Sequence, residues 1–157
     1  MKHIVLLLLA AMLTFGAKAQ DPQATADKGI QFTHITTLEE GQAAAKKQGK
    51  LMFVDVWATW CGPCVRLGKE IFTQEPVGDF FNKNFVNCKL RIDPTDEAAK
   101  AKAEQICNKY KVSAIPAMFW FNDKGEVVHS AVGMLPADRL IAEANKALEL
   151  SKQSKKK

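Results

Sequence analysis

Two periods of apolar and polar residues run through this chain. "IQFTHIT" (30–36) alternates apolar with polar and predicts a half-buried strand. Thr37 with Glu40 forms a capping-box pattern that opens a helix to about Gln48, and Gly49 ends it. "LMFVDVW" (51–57) is a near-continuous apolar run with β-branched residues, the mark of a central strand buried on both faces. A helix begins at or just after Cys61 and runs to about Phe72, and Pro76 starts a short one through Lys83. "FVNCKLRI" (85–92) reads as a second buried strand. Pro94 stands where a first-turn proline belongs, and "TDEAAKAKAEQICNKY" behind it is strongly helical. "AMFWF" (117–121), the turn "NDKG" and "EVVHSAV" (126–132) form a hairpin, after which Pro136 opens a last helix to about Leu150. The order β-α-β-α-α-β-α-β-β-α predicts parallel crossovers followed by antiparallel strands. That is an α/β fold with a mixed central sheet of about five strands and helices on both faces.

The first residues do not belong to this pattern. Lys2 precedes an unbroken apolar run, Ile4–Leu13, too short to span a bilayer and the right size for a signal-peptide core. Ala17-Lys18-Ala19 then fits small-x-small cleavage, and no cysteine follows at Gln20 to take a lipid. The 157 residues divide into a signal peptide (1–19), an N-terminal extension (20–29), one domain (30–150) and a basic tail (151–157). No later segment could cross a membrane. The formal charge is +5, but cleavage removes Lys2 and Lys18, and much of the rest sits in "KQSKKK". This is a solvated tail, not a basic stripe for nucleic acid.

Export places the four cysteines in an oxidising compartment, where each thiol needs a reason. "WATWCGPCVRLGKEI" (57–71) sets Cys61 and Cys64 three positions apart at a strand-to-helix junction. Zinc wants four ligands, and neither Cys88 and Cys107 nor His34 and His129 complete a set with this pair, so no metal is expected. A purely structural bond across so short a loop would restrain little of the unfolded chain. The free N–H groups and dipole of a helix start do favour a thiolate, the reactive species. C-x-x-C beside a βαβ pattern reads as a redox motif.

"FVDVWATWCGPC" resembles the active-site strand and loop of the thioredoxin superfamily. "KLRID", "AIPAMFWF", "DKGEVV" and the glycine of "AVG" resemble later landmarks in the same order, over residues 30–150. "EEGQAAAKKQGKLMFVDVWA" and "IFTQEPVGDFFNKNF" are more similar to exported members than to the compact cytosolic form. The resemblance implies a thioredoxin fold and a thiol–disulfide oxidoreductase without a cofactor. Cys61 would be the more exposed cysteine and attack the substrate disulfide, and Cys64 would resolve the mixed disulfide. Gly62 and Pro63 would shape the loop. Asp55 would be the proton acceptor or relay for Cys64, its pKa raised by burial, with Lys89 as charge partner. Trp60 would contact substrate and Trp57 pack in the core. Pro116 would be cis and opposite the cysteine pair, leaving the backbone of Ile115 to pair with an extended substrate, while Gly133 allows close backbone approach.

The chain departs from the family at Gly68-Lys69, where a mid-helix proline is often found, and at Ala117, where thioredoxins commonly carry Thr. Gly62-Pro63 resembles the reducing members, near −270 mV, rather than the strong oxidants near −120 mV. The implied partners are disulfide-containing exported proteins and a membrane electron-donating reductase, with the protein a periplasmic monomer. A disulfide oxidase or isomerase, and a module that binds extended chains with idle cysteines, are the rival readings.

Cys88 shares a strand face with Val86, Leu90 and Ile92, and Cys107 lies beside the helical stripe Ala99, Ala103, Ile106, Tyr110. The two should therefore face one another inside. They are either inert buried thiols or a structural disulfide worth roughly 3 kcal/mol for a loop of about twenty residues, and export favours the bond.

Overall fold

The computed structural model describes residues 28–154. The signal peptide 1–19 and its cleavage site lie outside them, as do most of the extension 20–29 and the last three tail residues. The elements are β1 (Thr33–Ile35), α1 (Leu38–Gln48), β2 (Leu51–Trp57), α2 (Gly62–Arg66) continuing into a π-helical turn (Leu67–Ile71), α3 (Glu75–Asn84), β3 (Phe85–Arg91), α4 (Glu97–Lys109), β4 (Ala117–Phe121), β5 (Val127–Val132) and α5 (Ala137–Ser154). The five strands form one sheet in the order β1-β3-β2-β4-β5. β3 pairs in parallel with both β1 and β2, and β4 pairs antiparallel with β2 and β5.

β2 sits at the centre and feeds a core on each face. Phe53 joins Leu67, Phe72, Phe81, Trp120 and Leu140 on the side of α3 and α5. Met52, Val54 and Val56 join Val86, Leu90, Phe119 and Phe121 on the side of α1 and α4. Alternation along one strand thus explains why its run reads as continuously apolar. Asp55 is the one charged side chain in it, and it lies on the Phe53 face. Among the described residues, no helix is long and apolar enough to cross a membrane.

Three local expectations change. At the start of α1, Thr37 makes no side-chain cap bond. Instead Glu40 reaches back and accepts from the hydroxyls of Thr36 at 2.9 Å and Thr37 at 3.3 Å. α4 begins at Glu97, not at Pro94, because the Asp96 carboxylate caps it by accepting from Ala99 N at 2.8 Å. α5 continues past Leu150 to Ser154, and Ser151 is buried.

The Cys88–Cys107 bond is not formed, and both thiols are free. Both belong to the core on the α1 and α4 side. Cys88 Sγ, however, is taken up under α1. A Cβ added at Gly41 would stand 2.6 Å from that sulfur and 2.6 Å from Met52 Sδ. Strand and helix periodicity placed the two cysteines in one layer but could not show which helix covers Cys88. Burial, and next the charge of Glu40, push the Cys88 thiol up to about 11, so it is inert at neutral pH.

The contact at Gly41 gives a stability prediction. Gly41→Ala gains helix propensity of about 1 kcal/mol but overpacks a closed core, which costs about 1–3 kcal/mol. Denaturant unfolding of the oxidised protein should show a net loss. That loss should shrink when Gly41→Ala is made in a Cys88→Ala background. An equal change in both backgrounds would remove the sulfur contact as its cause.

Candidate active site

β2 ends at Trp57, and the chain turns through Ala58–Trp60 into α2. Cys61 is the N-cap of α2 and accepts from Cys64 N–H through Sγ at 3.2 Å, with Pro63 in the first turn. The two cysteines are joined in a disulfide, Cα atoms 5.2 Å apart. It packs against Ala58, Trp57, Ile92 and Ile115. In this oxidised form Cys61 is 5% exposed and Cys64 2%, so the expected greater openness of Cys61 is slight. What stands open around the pair is Gly62, Pro63 and above all Trp60, 70% exposed. An apolar ring that size left in water beside a disulfide offers a contact surface.

The Ile115–Pro116 peptide bond is cis. Pro116 O accepts from Gly133 N at 2.8 Å, which ties the loop before β4 to the end of β5. Gly133 adopts φ +94°, a conformation that side-chain-bearing residues rarely take. A Cβ there would meet nothing within 4 Å. Among the described residues its glycine therefore serves the backbone turn.

Asp55 is 1% exposed. It is the register partner of Lys89 on β3, whose Nζ lies 3.1 Å from Oδ2. Asp55 Oδ1 has no hydrogen-bond partner among the described residues. Burial raises the Asp55 pKa, and the charge and hydrogen bond of Lys89 only partly oppose it. A carboxylate so placed takes up a proton more readily than a solvated one, as a base must. Trp57 is half-buried rather than wholly in the core, and its ring carries Lys89 Nζ at 4.9 Å from the centroid. At Gly68, where the family proline is absent, the helix after Cys64 widens into the π turn Leu67–Ile71. Such bulges gather at functional sites.

One residue of the site was not found from sequence. The Asp93 carboxylate accepts from Thr59 N at 3.0 and 3.2 Å and from the Thr59 hydroxyl, and it faces Arg91 Nε at 3.7 Å. It thereby holds the loop that leads to Cys61. Desolvation pushes Asp93 up, but the Thr59 bonds and then Arg91 outweigh it and hold the carboxyl below its ordinary value. The only signal in the sequence was an aspartate before a proline after a strand, a common turn pattern with no indication of its partner.

A family model for the thioredoxin-like domain matches residues 38–148. The chain belongs to the thioredoxin-like family. It is a thiol–disulfide oxidoreductase of that family, with its redox pair at Cys61 and Cys64. It is 32% identical to a thioredoxin of Staphylococcus epidermidis over 114 residues, 73% of this chain and 98% of that one. It is 34% identical to the chloroplastic thioredoxin Y of Oryza sativa, covering 68% of this chain but 56% of that protein. The thiol:disulfide interchange protein DsbD of Yersinia pestis is 31% identical over 134 residues, 80% of this chain and 22% of that one. Among solved structures, a putative disulphide-isomerase of Bacteroides thetaiotaomicron superposes with a TM-score of 0.65 at 36% identity, covering 77% of this chain and 94% of that one.

The raised Asp55 pKa has a consequence for stability. The folded thioredoxin-like domain holds the Asp55 proton more tightly than the unfolded chain does. Between the ordinary aspartate value of 3.8 and the raised folded value, the native state binds more protons, so stability falls as pH rises through that window. Asp55→Asn removes this term. Unfolding of the oxidised proteins should show the variant gaining on the wild type as pH goes from 4 to 8, and a constant difference would contradict the raised pKa.

Proposed function

We propose that this protein is exported and reduces disulfides in other exported proteins. The observation that carries the reading is the Cys61–Cys64 pair at the start of α2, with Cys64 N–H directed at Cys61 Sγ. In the reduced enzyme the Cys61 thiolate attacks one sulfur of a substrate disulfide. A Cys61–substrate bond forms, and the other substrate sulfur leaves as a thiolate. Cys64 then gives its proton to Asp55 and attacks Cys61 Sγ. The enzyme disulfide forms, and the substrate departs as a dithiol once its thiolates are protonated. Lys89 stabilises the Asp55 carboxylate between turnovers.

Trp60 offers an apolar contact for the substrate. Ile115 packs on the disulfide just outside the β4 ladder, which begins at Ala117, and its backbone pairs with an extended substrate segment beside Pro116 and Gly133. Gly62-Pro63 and the likeness to thioredoxins support the reducing direction. The leader-like N-terminus and the likeness to a thiol:disulfide interchange protein support export, to the periplasm. A reductase working there draws electrons from a membrane electron-donating reductase, and it works as a monomer. Isomerisation is the second reading, favoured by the likeness to the Bacteroides protein.

The division of labour is tested by trapping. With a disulfide-bonded protein substrate, Cys64→Ser should accumulate a mixed disulfide at Cys61, visible on non-reducing gels, and lose turnover. Cys61→Ser should give neither adduct nor turnover. Equal trapping through either cysteine would contradict the assignment. Reshuffling of a scrambled substrate without net reduction would favour the isomerase.

A further inference from the structure

Lys89 is surrounded by more than its counter-ion. Its Nζ lies 4.9 Å from the ring centre of Trp57, 5.0 Å from Phe32 and 5.3 Å from Phe72, while it holds Asp55 at 3.1 Å. The three rings come from three separate places: the segment before β1, the end of β2, and the residue after the π turn. All lie within the reach at which an aromatic face attracts an ammonium, and the attraction grows when water is excluded. Phe72 is fully packed against Phe32 and Phe53, so the cage is fixed by the core.

Lys89 has somewhere else to go. A cleft of about 320 Å³ lined by Lys89, Gly68, Phe32, Phe72 and Lys28 runs beside it. A Cβ at Gly68 would still be 3.8 Å from Nζ, so no side chain from the π turn blocks that side. A lysine has four rotatable stem bonds and a strongly hydrated head. Without the rings it would be drawn out into the cleft and away from Asp55.

We propose that Phe32, Trp57 and Phe72 are positioning residues that hold Lys89 against Asp55 and so set the pH range over which Cys64 resolves mixed disulfides. The proposal rests on the reading of Asp55 as the base for Cys64. The other ionic groups near the pair are engaged or solvated. Lys28 pairs with Glu75 at 3.2 Å, Arg91 with Asp93 and Arg66 with Glu70 at 3.3 Å. His34, beside Lys89 in register on β1, and Lys69 on the π turn are exposed. From β4, Asp55 is paired in register with Met118, which does not titrate. The position of Lys89 is therefore the variable that the rings control. If Lys89 leaves, Asp55 loses its nearest positive charge, ionises only at higher pH, and is a competent base over a narrower range.

The test uses the reduced protein and dithiobis-nitrobenzoate. Release of the first thionitrobenzoate reports attack by Cys61, and release of the second reports resolution by Cys64. The Asp55 carboxyl is titrated separately by its 13C resonance. In Phe32→Leu/Phe72→Leu, which keeps apolar cover but removes two rings, the acid limb of the second release and the Asp55 titration should both move up by about half to one pH unit. Lys89→Met should move both further in the same direction. Phe32→Tyr keeps the ring and should match the wild type. Should the double variant not fold, Phe32→Leu alone, at a half-buried ring, is read in the same way with a smaller shift. If Lys89→Met moves both profiles and the leucine variants move neither, the cage is overturned while Asp55 keeps its role. If the Asp55 titration moves and the second release does not follow it, Asp55 is not the base, and the underlying reading falls with the proposal. If neither profile moves in Lys89→Met, the coupling itself is refuted.

Discussion

A single ion pair between the two central strands organises this molecule. Asp55 and Lys89 are register partners on β2 and β3, in a layer that includes Phe53, Phe72 and Trp120. Burying a carboxylate there is unfavourable unless a charge partner and hydrogen bonds meet it, and one oxygen of Asp55 remains without a partner among the described residues. Its burial raises its pKa, the property on which its proposed role as proton acceptor rests.

The same strand leads from Asp55 to the redox pair. β2 builds both cores through alternate residues and then runs directly into the loop that bears Cys61. The loop is fixed on one side by Asp93, which gathers Thr59, and on the other by Ile115, which packs on the disulfide. The π turn after Cys64 contains Gly68, which lines the cleft beside Lys89.

Much of this was legible in the sequence because it rests on local rules. Every strand and helix appears in the expected order, since period and punctuation declare them, and "WCGPC" at a strand-to-helix junction announced its chemistry. Asp55 was marked by the resemblance of "FVDVWATWCGPC" to the family's active-site strand and loop. Most of the failures depended on a neighbour from elsewhere in the chain, the exception being the local cap at Asp96. Cys88 found Gly41 of α1 and not Cys107. Asp96 displaced Pro94 as the start of α4 because its carboxylate reaches Ala99. Asp93 meets Thr59 across the two central strands' ends, and the rings of Phe32, Trp57 and Phe72 converge on Lys89 only after the sheet has formed. No periodicity encodes such meetings.

On the proposed reading the Cys61–Cys64 pair is a source of electrons and not a sink for them. Its equilibrium with a graded glutathione or dithiothreitol couple, read by the fraction of oxidised pair, tests this most directly. A reductase of this kind should show a midpoint near −270 mV, where a dithiol reduces ordinary protein disulfides on meeting them. A midpoint near −120 mV, the range of the strong oxidants, would contradict it and make the protein a maker of disulfides.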